Sequence, residues 1–225
     1  MGAPVANETG NIAVLISGGL DSCVLVSELC AGHERVFPLY IRQGLHWEEA
    51  ELHWLKRFLA AVRKPQIQPL RVFDLPISDV YREHWSVSGK GVPEAGTPDD
   101  AVYLPGRNLL LLAKAVVFCS LNGIHRIALA PLEANPFPDA TPEFFRAFGA
   151  VAGAALAHPL EVFTPFRGLT KVQVIKKGRD LPLHLTFSCM KPQGDLHCGT
   201  CAKCEERRSA FRLAGVEDRT TYACP

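Results

Sequence analysis

A chain of 225 residues, 48% of them hydrophobic, can build one domain, or one domain with a small appendage, around a buried core. That composition excludes disorder except at the ends. Its 24 basic and 23 acidic residues leave a net charge of +1, so there is no electrostatic case for nucleic acid as the main partner. The start, MGAPVANETG, has no basic region followed by an apolar run, and Ala6 stands where a myristoylation signal needs Ser or Thr. The longest apolar run, 109–118, is interrupted by Lys114 and is too short for a bilayer. The expectation is a soluble, cytoplasmic protein with no membrane partner.

Residues 11–16 (NIAVLI) form a continuous apolar run, the pattern of a strand buried on both faces. A helix is predicted from Ser22, ending near Gly32, and a second strand over 35–41. Residues 46–62 form a helix, with Leu52, Leu55, Leu59 and Val62 at spacings of three and four. A weaker third strand covers 67–73. From 75 to 103 the periodicity fades into Gly, Pro and Asp, which predicts a lid, a binding loop or a disordered segment. A buried helix follows over 105–123, a fourth strand over 125–132, a helix rich in small residues over 140–157 and a short strand over 161–166. Thr170 is the N-cap of the next helix, and a short helix closes the chain. The alternation predicts an α/β fold with a parallel sheet, divided into a main domain (1–180) and a cysteine-bearing module (181–225).

SGGLDS, residues 17–22, joins the first strand to the first helix. Gly18 and Gly19 let successive backbone N–H groups converge on one anion, Ser17 and Ser22 add hydroxyls, and the helix adds the positive end of its dipole. The alternative is a tight strand-to-helix turn without a ligand.

Cys189, Cys198, Cys201 and Cys204 stand at spacings of nine, three and three. Two overlapping C-x-x-C units with a fourth thiol upstream suit a closed tetrahedral site, for Zn²⁺ or an iron–sulfur centre rather than a hard cation. A closed site has no open position for substrate, so it is assigned to folding. His197 is a neighbour or a surface residue rather than a ligand. Cys23, Cys30 and Cys119 read as buried free thiols. His46 and His53 read as a partly exposed helix face rather than a second metal site.

SGGLDS resembles the pyrophosphate loop of the N-type ATP pyrophosphatases. The chain is similar nearly end to end to the 7-cyano-7-deazaguanine synthase family through ISGGLDS, PGRN (105–108), PD and PEF (138–144), TPF with Lys171, SC…HCGTCAKCEERR and AGVEDRTTY. The resemblance implies a Rossmann-like fold with helices on both faces of the sheet, ATP, Mg²⁺, Zn²⁺ and a homodimer. It implies that the carboxylate of 7-carboxy-7-deazaguanine is adenylated and captured by ammonia as an amide, which is adenylated again and loses AMP to give the nitrile. Leu15, Ile16, Ser17, Gly18, Gly19, Leu20, Asp21, Ser22 and Asn108 are then the residues expected around ATP. Asp21, Ser22, Arg107 and Lys171 are the candidate catalytic residues. Arg107 is otherwise a surface ion-pair residue, and Lys171 a solvated one.

Glu133, Phe137, Asp139 and Thr141 are the candidate substrate contacts. The family carries Tyr, Cys and Arg where this chain has Phe137, Ala140 and Thr141, and Trp where it has Phe187, so a paralogue acting on another carboxylate or amine acceptor is kept beside the first reading. A tRNA-thiolating enzyme shares the loop, but the near-neutral charge counts against it.

Overall fold

A computed structural model describes residues 10–224. The readings of the N-terminal segment as free of an export signal, and of Ala6, fall outside the described residues. Five parallel strands form one sheet in the order β3-β2-β1-β4-β5: β1 (Asn11–Leu15), β2 (Arg35–Arg42), β3 (Arg71–Asp74), β4 (Arg126–Ala128) and β5 (Glu161–Phe163). Alternation along β1 buries both of its faces. Ile12, Val14 and Ile16 join the core beneath helix α1 (Leu20–Leu29), whereas Ala13 and Leu15 join the core beneath α5 (Arg107–Leu121) and α6 (Pro142–Ala155). Leu52, Leu55 and Phe58 of α2 (Glu48–Val62) lie in the α1 core with Val174 and Ile175 of α7 (Lys171–Lys177). Helices therefore cover both faces, which is why a parallel strand reads as an unbroken apolar run.

The elements fall where periodicity predicts them, with shifted ends. The first helix begins at Leu20, two residues early, because Gly19 takes an extended conformation as its N-cap and brings Asp21 and Ser22 into the first turn. The 46–62 helix begins at Glu48, leaving His46 in the preceding turn; both His46 and His53 are exposed. The third strand is confined to Arg71–Asp74, with Ile67 making only an isolated bridge to Val36. The fourth ends at Ala128, so that 129–135 run on as loop. Thr170 caps α7 through a reciprocal pair: its Oγ1 accepts from the Gln173 N–H and its own N–H donates to Gln173 Oε1.

The 75–103 segment is neither a free lid nor irregular throughout. It contains α3 (Ser78–Tyr81), α4 (Trp85–Ser88) and a 3-10 turn at Asp99–Val102. Its middle is tied to the cysteine module: Glu94 bridges Cys201, the Ala95 N–H donates to the Thr200 carbonyl, and the Ala202 N–H donates to Pro93. Leu45, Trp47, Ile77, Val92 and Leu104 form a third core with Phe187, Met190 and the four clustered cysteines. Sequence periodicity is blind to such a segment because its apolar residues pack against distant partners instead of repeating along a helix or strand. The last helix, α8 (Ala202–Ala214), buries Ala210, Phe211 and Ala214 in the α1 core. No helix among the described residues is long and apolar enough to cross a membrane.

Candidate active site and thiol cluster

The strand order reverses between β1 and β4, the position in open α/β sheets where ligands collect beyond the carboxyl ends of the strands. The glycine loop occupies that position. Gly18 has φ +80, and a Cβ there would lie 3.2 Å from both the Glu51 carbonyl and Leu55 Cβ, so glycine is required by conformation and by close approach to α2. The Gly18 carbonyl accepts the Phe187 N–H at 2.7 Å. Within the loop, Ser22 Oγ accepts the Ser17 N–H at 3.2 Å and donates to the Gly19 carbonyl at 3.2 Å. No side chain caps the N-terminus of α1, which leaves its first N–H groups for an anion.

A two-lobed cleft opens on either side of the loop. One lobe, about 200 Å³, lies over the ends of β1, β2 and β4 and is walled by Leu39, Ile41, Leu111 and Leu129. The other, about 300 Å³, is walled by Trp47, Trp85, Tyr103, Phe137, Phe187 and Met190. Two stacked aromatic pairs build this wall, Trp47 on Trp85 at 5.7 Å and Tyr103 on Phe137 at 4.9 Å. Ser17, Gly19, Asp21, Glu51, Arg107, Asn108 and Asn135 line both lobes.

Charges are paired across the cleft. Lys171 Nζ lies 2.5 Å from Asp21 Oδ2 and 3.3 Å from Glu206 Oε1. Lys203 Nζ, also lining the aromatic lobe, donates to Glu206 Oε2 at 2.6 Å. Burial works against ionisation of Glu206, but the two lysines override it and hold the carboxyl down to about 2. Burial lowers Lys171, and the Asp21 and Glu206 carboxylates reverse that to keep it above the usual lysine range. Among the described residues Asp21 Oδ1 is buried without a partner, an acceptor in the lining of both lobes and suited to a cation or a donor from a ligand. Glu51 is 6% exposed and receives the Tyr40 hydroxyl on Oε2 at 2.7 Å. Burial pushes its carboxyl up to about 7 against the opposing pull of Arg107.

The four clustered thiols are 1% exposed or less. Their sulfurs lie within 4.8 Å of one another, with Cys189–Cys201 and Cys198–Cys204 at 3.9 Å and Cys201–Cys204 at 3.5 Å. These separations are too long for a disulfide and match the ~3.8 Å edge of a tetrahedron with metal–sulfur bonds of about 2.3 Å. Backbone N–H groups of Lys191 and Cys198 donate to Cys189 Sγ, and those of Thr200 and Cys201 to Cys198 Sγ, the pattern that stabilises thiolates. The donor set can hold a metal ion. Gly199, at φ +85, turns the knuckle where a Cβ would lie 2.1 Å from the Cys224 carbonyl.

Residues 11–215 match the profile of the family described as Queuosine biosynthesis protein QueC. The chain belongs to that family. A protein of Methanothrix thermoacetophila named 7-cyano-7-deazaguanine synthase is 30% identical over 230 residues, covering 95% of this chain and 99% of its own. One of the same name from Magnetococcus marinus is 32% identical over 225 residues, covering 94% and 96%. In fold, the chain is similar to a 4-thiouridine synthetase solved as an RNA complex with bound ATP, with a TM-score of 0.50 and 14% identity over 92% of this chain and 50% of that one.

Within this QueC family member, the sequence-predicted residues separate into two groups. Leu15, Ile16, Ser17, Gly19, Leu20, Asp21, Ser22, Arg107, Asn108, Phe137, Asp139 and Lys171 line the cleft. Gly18, Glu133 and Thr141 do not: Gly18 faces α2, Glu133 is exposed, and Thr141 caps α6 by accepting the Phe144 N–H. Asp139 accepts the Asn108 N–H at 2.8 Å and so fixes the start of α5 at the cleft. Ala140 is fully buried, so of the three altered positions at 137, 140 and 141 only Phe137 lines the cleft. Among the described residues, Arg107 makes no ion pair; its Nε donates to Gln43 Oε1 at 3.4 Å. Lys171 is paired rather than solvated.

Sequence reasoning missed Tyr40, Glu51, Glu206 and Arg207. Glu51 carried a usable signal, a carboxylate on the apolar stripe one residue before Leu52. Arg207 is 1% exposed and donates to Thr220, Thr186, Ser188 and the Leu183 carbonyl at 2.8–3.3 Å, joining α8 to both neighbouring segments. His197 lies outside the thiol cluster, 2% exposed, and its Nε2 accepts the Ser188 N–H. Burial and then Arg207 hold the ring down to about 3, keeping it neutral for that bond.

Proposed function

We propose that this member of the family uses ATP to convert 7-carboxy-7-deazaguanine and ammonia, through the amide, to 7-cyano-7-deazaguanine. The observation that carries the proposal is the two-lobed cleft meeting at Ser17–Ser22, one lobe backed by apolar side chains at the strand ends, the other by aromatic ones, with polar and charged groups shared between them. A phosphate chain held on the loop would present its α-phosphorus to a carboxylate entering from the aromatic lobe. The substrate oxygen bonds to that phosphorus, the α–β bond breaks, and pyrophosphate leaves; ammonia then displaces AMP. In the second round the amide oxygen is the attacking atom, and loss of AMP with the two nitrogen-bound protons leaves the nitrile.

In this reading Ser17, Gly19, Ser22 and the start of α1 bind phosphate oxygens, and Arg107 and Lys171 face charge that develops on the leaving group. Asp21, with Oδ1 free, would hold Mg²⁺, which supplies charge neutralisation at the phosphates. Cys189, Cys198, Cys201 and Cys204 would hold Zn²⁺ in a structural role. A homodimer in the cytoplasm belongs to the same proposal, and light scattering tests the dimer.

The test is incubation with ATP, Mg²⁺, ammonium and 7-carboxy-7-deazaguanine, following AMP, pyrophosphate and product mass. Sequential appearance of amide and nitrile is the expected result; absence of both sinks the reading. Phe137 and Phe187 wall the aromatic lobe where the resemblance leads one to expect Tyr and Trp, which favours a second reading, the same adenylation applied to another carboxylate or amine acceptor. Pyrophosphate release with a different acid, but not with the deazaguanine acid, would select it.

A further inference from the structure

Among the described residues, three carboxylates line the cleft: Asp21, Glu51 and Asp139. Asp21 is ion-paired to Lys171, and Asp139 is held by the Asn108 N–H. No histidine among the described residues lines either lobe. Glu51 alone has no cation within ion-pairing distance among the described residues and no backbone donor on its carboxylate. It sits in the first half of α2 and lines both lobes beside the loop. The Tyr40 hydroxyl donates to one of its oxygens, and the Trp47 side chain is a second neutral donor toward the carboxyl.

The geometry points to Glu51 as the catalytic group that takes protons from the substrate nitrogen, first as it attacks and then as the triple bond forms. This holds for the reaction proposed above. In the first round ammonia bonds to the acyl carbon, Glu51 removes one N–H proton, and the C–O bond breaks with its electron pair on AMP. In the second, the adenylated amide carries two N–H protons. Each leaves in turn through Glu51 to solvent while the C–O bond breaks and the carbon–nitrogen triple bond forms. Adenylation itself moves no proton from nitrogen and does not need Glu51.

The surroundings suit such a role. Tyr40 from β2, Arg107 from α5, Glu48 and Trp47 at the start of α2, and the Cys23 thiol of α1 are the polar and charged groups that interact with it, and Asp21 and Lys171 line the same lobe. Burial is the largest influence and raises the carboxyl to about 7, with Glu48 adding to the rise and Arg107, Tyr40 and Trp47 opposing it. A base so poised accepts a proton near neutral pH and releases it again.

The test separates the two halves of the reaction in Glu51→Gln. Acid-dependent exchange of labelled pyrophosphate into ATP, with 7-carboxy-7-deazaguanine as the acid, should stay within the same order of magnitude as wild type. At fixed free-ammonia concentration, amide formation should fall ~100-fold or more and lose the acid limb expected of the wild-type rate near pH 7. Tyr40→Phe, which retains the carboxylate but removes its donor, should move that limb to higher pH. Wild-type amide formation in Glu51→Gln, or equal loss of exchange and amide formation, overturns the assignment. An unmoved limb in Tyr40→Phe overturns it too, even where Glu51→Gln fails to fold. Absence of exchange in the wild-type protein overturns the substrate reading and this assignment together.

Discussion

The glycine loop and the thiol cluster are built by opposite means. The loop is made by six consecutive residues whose hydrogen bonds reach at most five positions along the chain, with distant polar partners confined to the carbonyl of Gly18 and the carboxylate of Asp21. The thiol site draws on remote segments: 93–96 are laid across it, Cys189 arrives from the turn after Phe187, and the tail returns to cover it through the Ala223 and Cys224 N–H groups on the His197 and Cys198 carbonyls. The difference predicts that the loop tolerates loss of its function without loss of fold, whereas the cluster does not. The two are joined by one line of charges, Lys203–Glu206–Lys171–Asp21, running from the cysteine-bearing helix to the loop.

The harshest break of the comparison is Cys201→Ser. It removes a ligand and disturbs the bridge to Glu94, so bound metal should be lost and the melting temperature should fall by roughly 10 °C or more for a chain of this size. A metal-free protein melting at the wild-type temperature would show that the cluster is dispensable. Arg207→Met comes next. It takes the guanidinium donor from the hydroxyls of Thr186, Ser188 and Thr220, while the Leu183 carbonyl keeps the Thr186 N–H and hydroxyl, and should cost ~3 kcal/mol by denaturant titration. A change below ~1 kcal/mol would show that these segments are held by packing instead.

On the loop side the expectation reverses. Asp21→Asn should lower turnover at least ~100-fold, about 2.7 kcal/mol of transition-state stabilisation, while the melt is nearly unchanged. A comparable loss of stability would erase the contrast between the two regions. Gly18→Ala tests the one point where the loop touches α2: the strained φ and the 3.2 Å approach to Glu51 and Leu55 should cost ~1–2 kcal/mol. The smallest effect belongs to Thr170→Ala, which removes the cap of α7 and should cost about 1 kcal/mol. Because α7 carries Lys171, its signature is a loss of turnover larger than the loss of stability.

Local features were legible from sequence wherever the physics is local. Gly18–Gly19 between an apolar run and a helix, the C-x-x-C-x-x-C spacing and the Thr170 cap all act over a few residues, and the structure has each in the predicted place. Residues 75–103 were illegible because their apolar side chains pack against Phe187, Met190 and the cysteines rather than repeating at a helical or strand period. Glu51 and Arg207 were passed over for a related reason: a charged residue signals burial only through partners that are remote in the chain.

The amino-acid sequence by itself determined a parallel α/β fold, a glycine loop at the end of its first strand and a cluster of four thiols that can hold a metal, because periodicity, glycine conformation and cysteine spacing are properties of short segments. The tertiary structure alone decided that the cleft has two lobes, that Asp21 and Lys171 are paired across 150 positions of sequence, and that Glu51 lies between the lobes. Burial and pairing depend on what the fold brings alongside a residue, and no local pattern carries that information.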